Sequence, residues 1–430
     1  MLQTARTQQL WAEVLPHLRS PLYRNGYLLL LSGAVSAGLG IVYWLLAARR
    51  YSPELVGLNS ALIAAMLFLA GIAQLGLNTV LVYFLPRVGP GATRLVSRSY
   101  LVSLLSAGVV GLIFAGGASF WAPALAPMLA KPWLWVAFVI SVALWCIFTL
   151  QDSVLTGLRQ TTWVPVENLL VAVVKIVLLV VLAQVTPAYG LWASWMIPVA
   201  LSLGPVNWLI FARFLPQQRR GIETQSITAG TLVQHTFHNY IGSLCFLAST
   251  TLLPVIVTQT LGARATAYFY IPWMLYTGLQ LIPQNMALSF MVEASANRSR
   301  TADYYRSAWQ QSLRLLLPLV ALLLVGAPWL MALFGDDYAV EGSTLLRILV
   351  VAILPNLYTA LYLSLARVEN RSHRLIVVQG AICLLTLGLT TLLLDTFGIT
   401  GVGMAWLAAQ SVVAVVLYFF NRKATSDEYA

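Results

Sequence analysis

Residues 166–185 read VENLLVAVVKIVLLVVLAQV, and their apolar character decides the fold class. A helix of this length crosses a hydrocarbon core of about 30 Å. Similar apolar runs recur between loop signals along the whole chain. The twelve windows are 27–48, 56–84, 99–120, 133–155, 166–185, 190–212, 239–260, 266–292, 312–334, 345–366, 374–394 and 400–420. The sequence therefore predicts an all-α integral membrane protein with about twelve transmembrane helices.

Composition excludes a soluble protein. The chain has 430 residues, of which 59% are hydrophobic and 9% charged, and its mean hydropathy is +0.81. A soluble domain of this length needs far more charge, because its surface faces water. The three cysteines, Cys146, Cys245 and Cys383, all lie in apolar stretches and form no disulfide or metal pattern.

The net charge of +11 indicates membrane topology. In a soluble protein such a charge would suggest nucleic acid, but here most basic residues lie in short loops, so no nucleic-acid partner is expected. With a cytoplasmic N-terminus, 19 of the 25 basic residues fall on the inner side and Lys175 falls within a span. The outer side receives only Arg49, Arg50, Lys131, Arg264 and Arg347. This bias predicts that both termini are cytoplasmic.

The chain also contains an internal repeat. Arg159 follows span four and Arg367 follows span ten, while Gly190 opens span six and Gly398 precedes span twelve, both pairs at the same offset. Each half holds an even number of helices, so the halves have the same orientation and should enclose a cavity. The expected domains are 1–26 (cytoplasmic segment), 27–214 (first six-helix bundle), 215–238 (cytoplasmic linker), 239–420 (second bundle) and 421–430 (cytoplasmic tail).

Motifs for enzymatic chemistry are missing from the sequence. A P-loop needs a lysine directly after a glycine, and Lys131, Lys175 and Lys423 follow other residues. The near pair His235 and His238 has no third partner at metal-ligand spacing, so no metal site and no cofactor are expected. No nucleophile elbow or paired catalytic acids occur. The chain is therefore not expected to be an enzyme.

Several short motifs carry a family resemblance that covers essentially the whole chain. They are Arg24–Asn25, Tyr51–Gly57, Gly157–Arg159, Leu333–Tyr338, Leu345–Leu349 and Gly398–Gly403. In this order and spacing they resemble the polysaccharide-transporter branch, the Wzx-like oligosaccharide flippases, of the multidrug/oligosaccharidyl-lipid/polysaccharide (MOP) exporter superfamily. That family's MATE-like fold implies two parallel six-helix bundles that form a V around a central cavity.

The resemblance also implies a function. It indicates a flippase that moves an undecaprenyl-pyrophosphate-linked oligosaccharide, an O-antigen or exopolysaccharide repeat unit, across the bacterial inner membrane by alternating access. H+ or Na+ is then a candidate coupling ion, and the glycan polymerase machinery is a candidate partner. Three rivals stay open: a MATE-like ion-coupled drug or metabolite exporter, a major facilitator fold, and a membrane enzyme of glycan assembly. Basic cavity residues favour an anionic lipid head over a cationic drug.

Lys175 is the most informative candidate, because an ammonium inside a span is costly unless it faces protein or water. It is expected to bind the substrate's phosphates; the alternatives are snorkelling or an ion pair with Glu167. Arg24 and Asn25, at the inner end of span one, are also substrate-binding candidates, the alternative for Arg24 being an anchor on the inner side. Arg49, Arg50 and Arg264, at the outer turns, are binding candidates or solvated loop charges.

Amides and carboxylates complete the candidate site. Asn78 in span two and Gln284 and Asn285 in span eight occupy corresponding helices and could bind sugar hydroxyls or one another. Asp152 and Glu167 border the turn between spans four and five, where a carboxylate can take up a proton or sodium ion and couple transport to a gradient. The alternative for both is a structural pairing with Arg159.

Overall fold

The structure of the protein, a computed structural model, describes residues 21–218, 229–369, 371 and 373–427, and these ranges contain no strand. Its helices of eight or more residues are α1 (Pro21–Arg50), α2 (Pro53–Ala73), α3 (Leu77–Phe84), α4 (Ala92–Trp121), α5 (Pro132–Gly157), α6 (Trp163–Val185), α7 (Gly190–Leu209), α8 (Ala229–Leu279), α9 (Leu281–Ala296), α10 (Thr301–Ala332), α11 (Asp336–Val368), α12 (His373–Phe397) and α13 (Ile399–Asp427). We call residues 21–218 the N-terminal half and residues 229–427 the C-terminal half.

The helices account for the predicted crossings. Ten helical stretches of the described chain are long and apolar enough to cross a membrane, and one of them, His238–Ala296, turns back on itself at Gly262. Helix α1 has 30 residues, also sufficient for a crossing. The all-α membrane fold expected from the sequence is confirmed. Below, "inner" and "outer" ends follow the orientation that the charge bias predicts.

One predicted span is interrupted at residues with positive φ, and another such residue forms a turn between two predicted spans. Residues 56–84 were expected as one span, but α2 ends at Ala73 and α3 begins at Leu77, because Leu75 and Gly76 have φ of 51° and 74°. Between spans seven and eight the turn is made at Gly262, with φ 84° and ψ 173°. A residue without a Cβ adopts this conformation at no steric cost.

The two halves meet mainly where α2 packs along α8. A Cβ at Gly57 would lie 1.8 Å from the carbonyl oxygen of Ala263, so the two backbones approach more closely than any larger residue permits. Small residues allow such close helix packing in a membrane, where apolar area alone does not drive association. Towards the inner end, the Tyr240 hydroxyl donates to the Ile72 carbonyl at 2.9 Å.

The C-terminal half has a polar bond within its buried aromatic core. Trp406 is fully buried, and its indole N–H donates to the Tyr276 hydroxyl at 2.7 Å. Gln280 donates to the same hydroxyl at 3.2 Å, and the Trp273 ring stands edge-on to Trp406 at 5.0 Å. Because a buried indole N–H without a partner is costly, this bond fixes how α8 and α13 pack.

Candidate functional site

Lys175 lies between two aromatic rings in the N-terminal half. Its Nζ atom is 4.7 Å from the centroid of the Tyr43 ring on α1 and 4.2 Å from that of Trp195 on α7. The Tyr43 ring is held in place because its hydroxyl donates to the Leu191 carbonyl at 3.1 Å and lies 2.8 Å from Ser194 Oγ. Aromatic faces attract a cation without neutralising it.

The ammonium of Lys175 has no acidic partner in the described chain. No carboxylate lies within ion-pair distance of its Nζ, and the ion pair with Glu167 considered as an alternative is not formed. The two rings adjoin the interface between the halves, because Trp44, in edge contact with Tyr43, packs against Tyr270 of α8 at 4.5 Å. A net positive charge therefore sits close to the contact between α1 and the C-terminal half.

A second polar cluster joins α5, α6 and α7. Gln151 donates from Nε2 to Glu167 Oε1 at 2.6 Å and accepts from Asn207 Nδ2 at 2.6 Å, while Asn168 donates to Asp152 Oδ2 at 3.4 Å. Glu167 is buried, with 3% of its surface exposed. The two predicted ion-coupling carboxylates therefore lie close together, Glu167 buried and Asp152 half-buried.

The carboxylates are not neutralised by a cation within the described ranges. The pairing of Asp152 or Glu167 with Arg159 is not formed. Asp152 Oδ1 and Glu167 Oε2 are buried and accept no hydrogen bond. Two buried oxygens of this kind can take up a proton or a small cation, since a carboxylate left charged and unpaired there is costly. The described residues contain no group of three or more His, Cys, Asp or Glu placed to hold a metal ion.

The C-terminal half contains a cavity of about 300 Å³ among α8, α9, α11, α12 and α13, and its lining combines apolar side chains with a group of polar ones. Its polar lining consists mainly of amides, hydroxyls and one guanidinium, including Ser243, Gln284, Asn356, Gln379, Gln410 and Arg367. Buried oxygens of three of the amides, Asn356, Gln379 and Gln410, accept no hydrogen bond. No acidic side chain is among the described residues that line it.

Of the predicted amides, Gln284 lines this cavity, whereas Asn285 is exposed and lies outside its lining. Sequence reasoning missed Arg367, Asn356, Gln379 and Gln410. The signal that could have found them is that each is a polar residue within or at the end of an apolar span. Asn78 borders a separate pocket at the inner end of the N-terminal half, and its Oδ1 accepts from the Thr79 amide at 2.8 Å.

Two of the three predicted outer arginines, Arg49 and Arg264, contact protein groups. Arg49 donates from Nε to the Leu333 carbonyl at 2.8 Å and from a terminal nitrogen to the Ala332 carbonyl at 3.3 Å, which ties α1 to the end of α10. Arg264 pairs with Asp337 at 3.2 Å and with Glu54 of the other half at 3.9 Å. Arg50 is exposed. The side chains of Arg24 and Asn25 lie outside the described residues.

The Arg264 contacts lead to a first prediction. Arg264→Ala removes one of the polar ties between the halves at their outer end and should favour opening on that side, by no more than about fivefold since both ion pairs are exposed. Distances between spin labels placed on the outer ends of α2 and α11 would measure the shift. Arg347→Ala is the matched control, because Arg347 donates to the Leu324 carbonyl within one half. An unchanged distance distribution for Arg264→Ala would contradict the prediction.

Comparison with solved structures decides the fold. A structure described as the inward-facing conformation of a multidrug resistance MATE family transporter of the MOP superfamily matches 91% of this chain and 94% of its own, with a TM-score of 0.72 and 15% identity. A structure of the lipid II flippase MurJ, inward closed conformation, matches 92% of this chain and 87% of its own, with a TM-score of 0.67 and 14% identity. The chain has the fold of these transporters.

A structure described as the outward-facing conformation of a multidrug resistance MATE family transporter superposes with a TM-score of 0.59 at 15% identity, over 92% of this chain and 94% of its own. No family model and no curated protein matches the sequence. The MATE-like fold that the resemblance implies is thus confirmed in place of the major facilitator fold. The polysaccharide-transporter branch stays a prediction. These three proteins are named as transporters or as a flippase, and none is named as an enzyme.

Proposed function

We propose that this protein is a flippase that moves an undecaprenyl-pyrophosphate-linked oligosaccharide across the bacterial inner membrane by alternating access. The observation that carries the proposal is the cavity of the C-terminal half. Its amides and hydroxyls match sugar hydroxyls, Arg367 matches a phosphate, and no acid among the described lining residues would repel one. The substrate's head group is anionic and heavily hydroxylated, so it is chemically complementary to this lining.

The physical problem is the cost of moving that head group through lipid. Each polar group transferred to hydrocarbon without a partner costs several kcal/mol, and a charge costs more. Arg367 in one half and Lys175 in the other provide cations within the protein, so the head group can exchange water for protein donors while its polyprenyl chain stays in the lipid. MurJ, which has a similar fold, is named as a lipid II flippase, and this supports a lipid-linked substrate.

The test is reconstitution into liposomes that contain a polyprenyl-pyrophosphate-linked oligosaccharide. The wild-type protein should bring the glycan to the opposite leaflet, where a glycosidase that cannot cross the bilayer cleaves it. Arg367→Gln should slow this by about tenfold or more, because one charge-assisted contact to phosphate is lost. Arg371→Gln is the matched control, since Arg371 is exposed and pairs with Glu369 at 3.3 Å.

The alternative is a MATE-like exporter of drugs or metabolites, and the carboxylates of Asp152 and Glu167 are the observation that favours it. If the reconstituted protein accumulates a cationic dye against an ion gradient and leaves the glycan lipid in place, the exporter assignment replaces the flippase. If neither the dye nor the glycan lipid moves, the transport assignment as a whole fails. Inner-membrane location, cytoplasmic termini and association with polymerase machinery are part of the same proposal.

A further inference from the structure

The N-terminal half contains a second pocket, which the proposed function does not use. It has a volume of about 670 Å³ and lies at the inner end, between α3 with the turn that follows it and the end of α5. Its polar lining residues are Asn78, Thr79, Tyr83, Arg87, Ser153 and Arg159. It therefore combines two guanidiniums with an amide and hydroxyls.

Arg87 is fixed in orientation and keeps donors free. Its guanidinium stacks 4.1 Å from the centroid of the Tyr83 ring, and one terminal nitrogen donates to the Tyr83 carbonyl. A guanidinium has five N–H donors, so most of them remain for another acceptor. Within the described chain, no carboxylate lies within ion-pair distance of Arg87 or Arg159. The pocket thus carries two uncompensated positive charges.

Arg159 occupies this position at a backbone cost. Its φ is +58°, a left-handed conformation that costs a non-glycine residue about 1–2 kcal/mol. The turn that ends α5 requires this conformation, because the Gln160 amide bonds back to the Leu155 carbonyl at 2.8 Å, and glycine or asparagine is the usual residue there. Closure of the helix does not explain an arginine. A basic residue suits the inner side of the membrane, and here its side chain also lines the pocket.

The internal repeat predicted from the sequence would relate this pocket to the cavity of the C-terminal half. Arg159 and Arg367 each line a pocket in their own half, although Arg159 lies two positions beyond the end of α5 and Arg367 lies in the last turn of α11. Asn78 and Gln284, amides in corresponding spans, line the same two pockets. Each half therefore places one amide and one arginine together near its inner end.

We propose that the N-terminal pocket binds the phosphate of a lipid head group in the inner leaflet. Two guanidiniums in the absence of acid select a phosphate or pyrophosphate, which Arg contacts bidentately. The identity of the lipid rests on the proposed function: a polyprenyl pyrophosphate in the inner leaflet would meet this pocket at the inner end of the N-terminal half. A bulk anionic phospholipid offers the same phosphate chemistry.

Direct binding tests the proposal without relying on transport. The full-length protein in detergent is titrated with undecaprenyl pyrophosphate in one arm and with phosphatidylglycerol in the other, and bound lipid is counted by native mass spectrometry. In Arg87→Gln/Arg159→Gln, affinity for at least one of these lipids should fall by about tenfold or more. The control is Arg94→Gln/Arg98→Gln, which removes the same charge from two exposed positions near the start of α4.

The titrations with the two lipids show which of them supplies the phosphate that the pocket binds. If the double variant loses affinity only for undecaprenyl pyrophosphate, the pocket is a substrate site. If it loses affinity for phosphatidylglycerol, the pocket is a site for bulk anionic lipid. If the wild-type protein does not bind undecaprenyl pyrophosphate and the double variant loses affinity for phosphatidylglycerol, the phosphate pocket is supported but the proposed function fails. Equal affinity of the double variant and the control for both lipids overturns the pocket. If the double variant does not fold, Arg87→Lys/Arg159→Lys, which keeps charge but loses the bidentate fork, decides by the same criterion.

Discussion

Lys175→Met is expected to abolish translocation of the lipid-linked glycan, lowering the initial rate by more than about tenfold. Methionine fills much of the space between the Tyr43 and Trp195 rings but carries no charge. In the wild-type protein no described carboxylate neutralises the ammonium, so no acid offsets its attraction for an anionic head group that reaches it. The rate is measured in the liposome assay and by complementation of a strain that lacks its own glycan flippase.

Two controls separate the charge from the fold. Lys175→Arg keeps a cation between the same rings and should retain most of the activity. Lys131→Met removes an exposed lysine from an outer loop and should leave transport unchanged. The amount of inserted protein is compared for every variant. Full complementation by Lys175→Met would show that Lys175 is not needed to bind the substrate's phosphates.

Glu167→Gln together with Asp152→Asn is expected to remove the response of transport to an imposed ion gradient. The two carboxylates lie close together, and one oxygen of each is buried without a hydrogen-bond partner. Uptake of a proton or Na+ there neutralises a charge that is costly to bury, whereas amides at the same positions bind neither ion in the same way. The acceleration that a Na+ or proton gradient gives the wild-type protein should fall by about tenfold.

The measurement is the initial rate in liposomes with and without each gradient applied separately. Asp303→Asn is the matched control, because Asp303 is exposed and pairs only weakly with Arg300 at 3.7 Å. Its gradient response should equal that of the wild type. If the double variant keeps the full response to either gradient, the coupling site lies elsewhere.

Much of the fold follows from local sequence. The apolar window 166–185 became α6, Trp163–Val185, and the window 133–155 became α5, Pro132–Gly157. These predictions hold because, in lipid, a backbone must satisfy its own hydrogen bonds, so an apolar run of sufficient length can only be a helix. The break at Gly76 was missed, because the residues around it are nearly as apolar as a continuous helix.

The site depended much more on packing. The sequence singled out Lys175 because a charge within an apolar span is unusual, and it could not show that Tyr43 and Trp195, far away in the chain, would face it. Nor could it distinguish an Arg159 pairing from the Gln151 bond that Glu167 actually makes. Arg367 and Arg159 read as ordinary loop charges until the structure placed each at a pocket.

The amino-acid sequence by itself determined that this chain is helical and has about twelve apolar segments long enough to cross a membrane, and it predicted a repeat in two halves. Membrane insertion and topology depend on the summed hydropathy and charge of contiguous residues, which can be read directly from the sequence. The tertiary structure decided which charges have partners and which face pockets. That depends on how helices distant in sequence rotate and approach, and no local pattern encodes the side chain that will stand opposite.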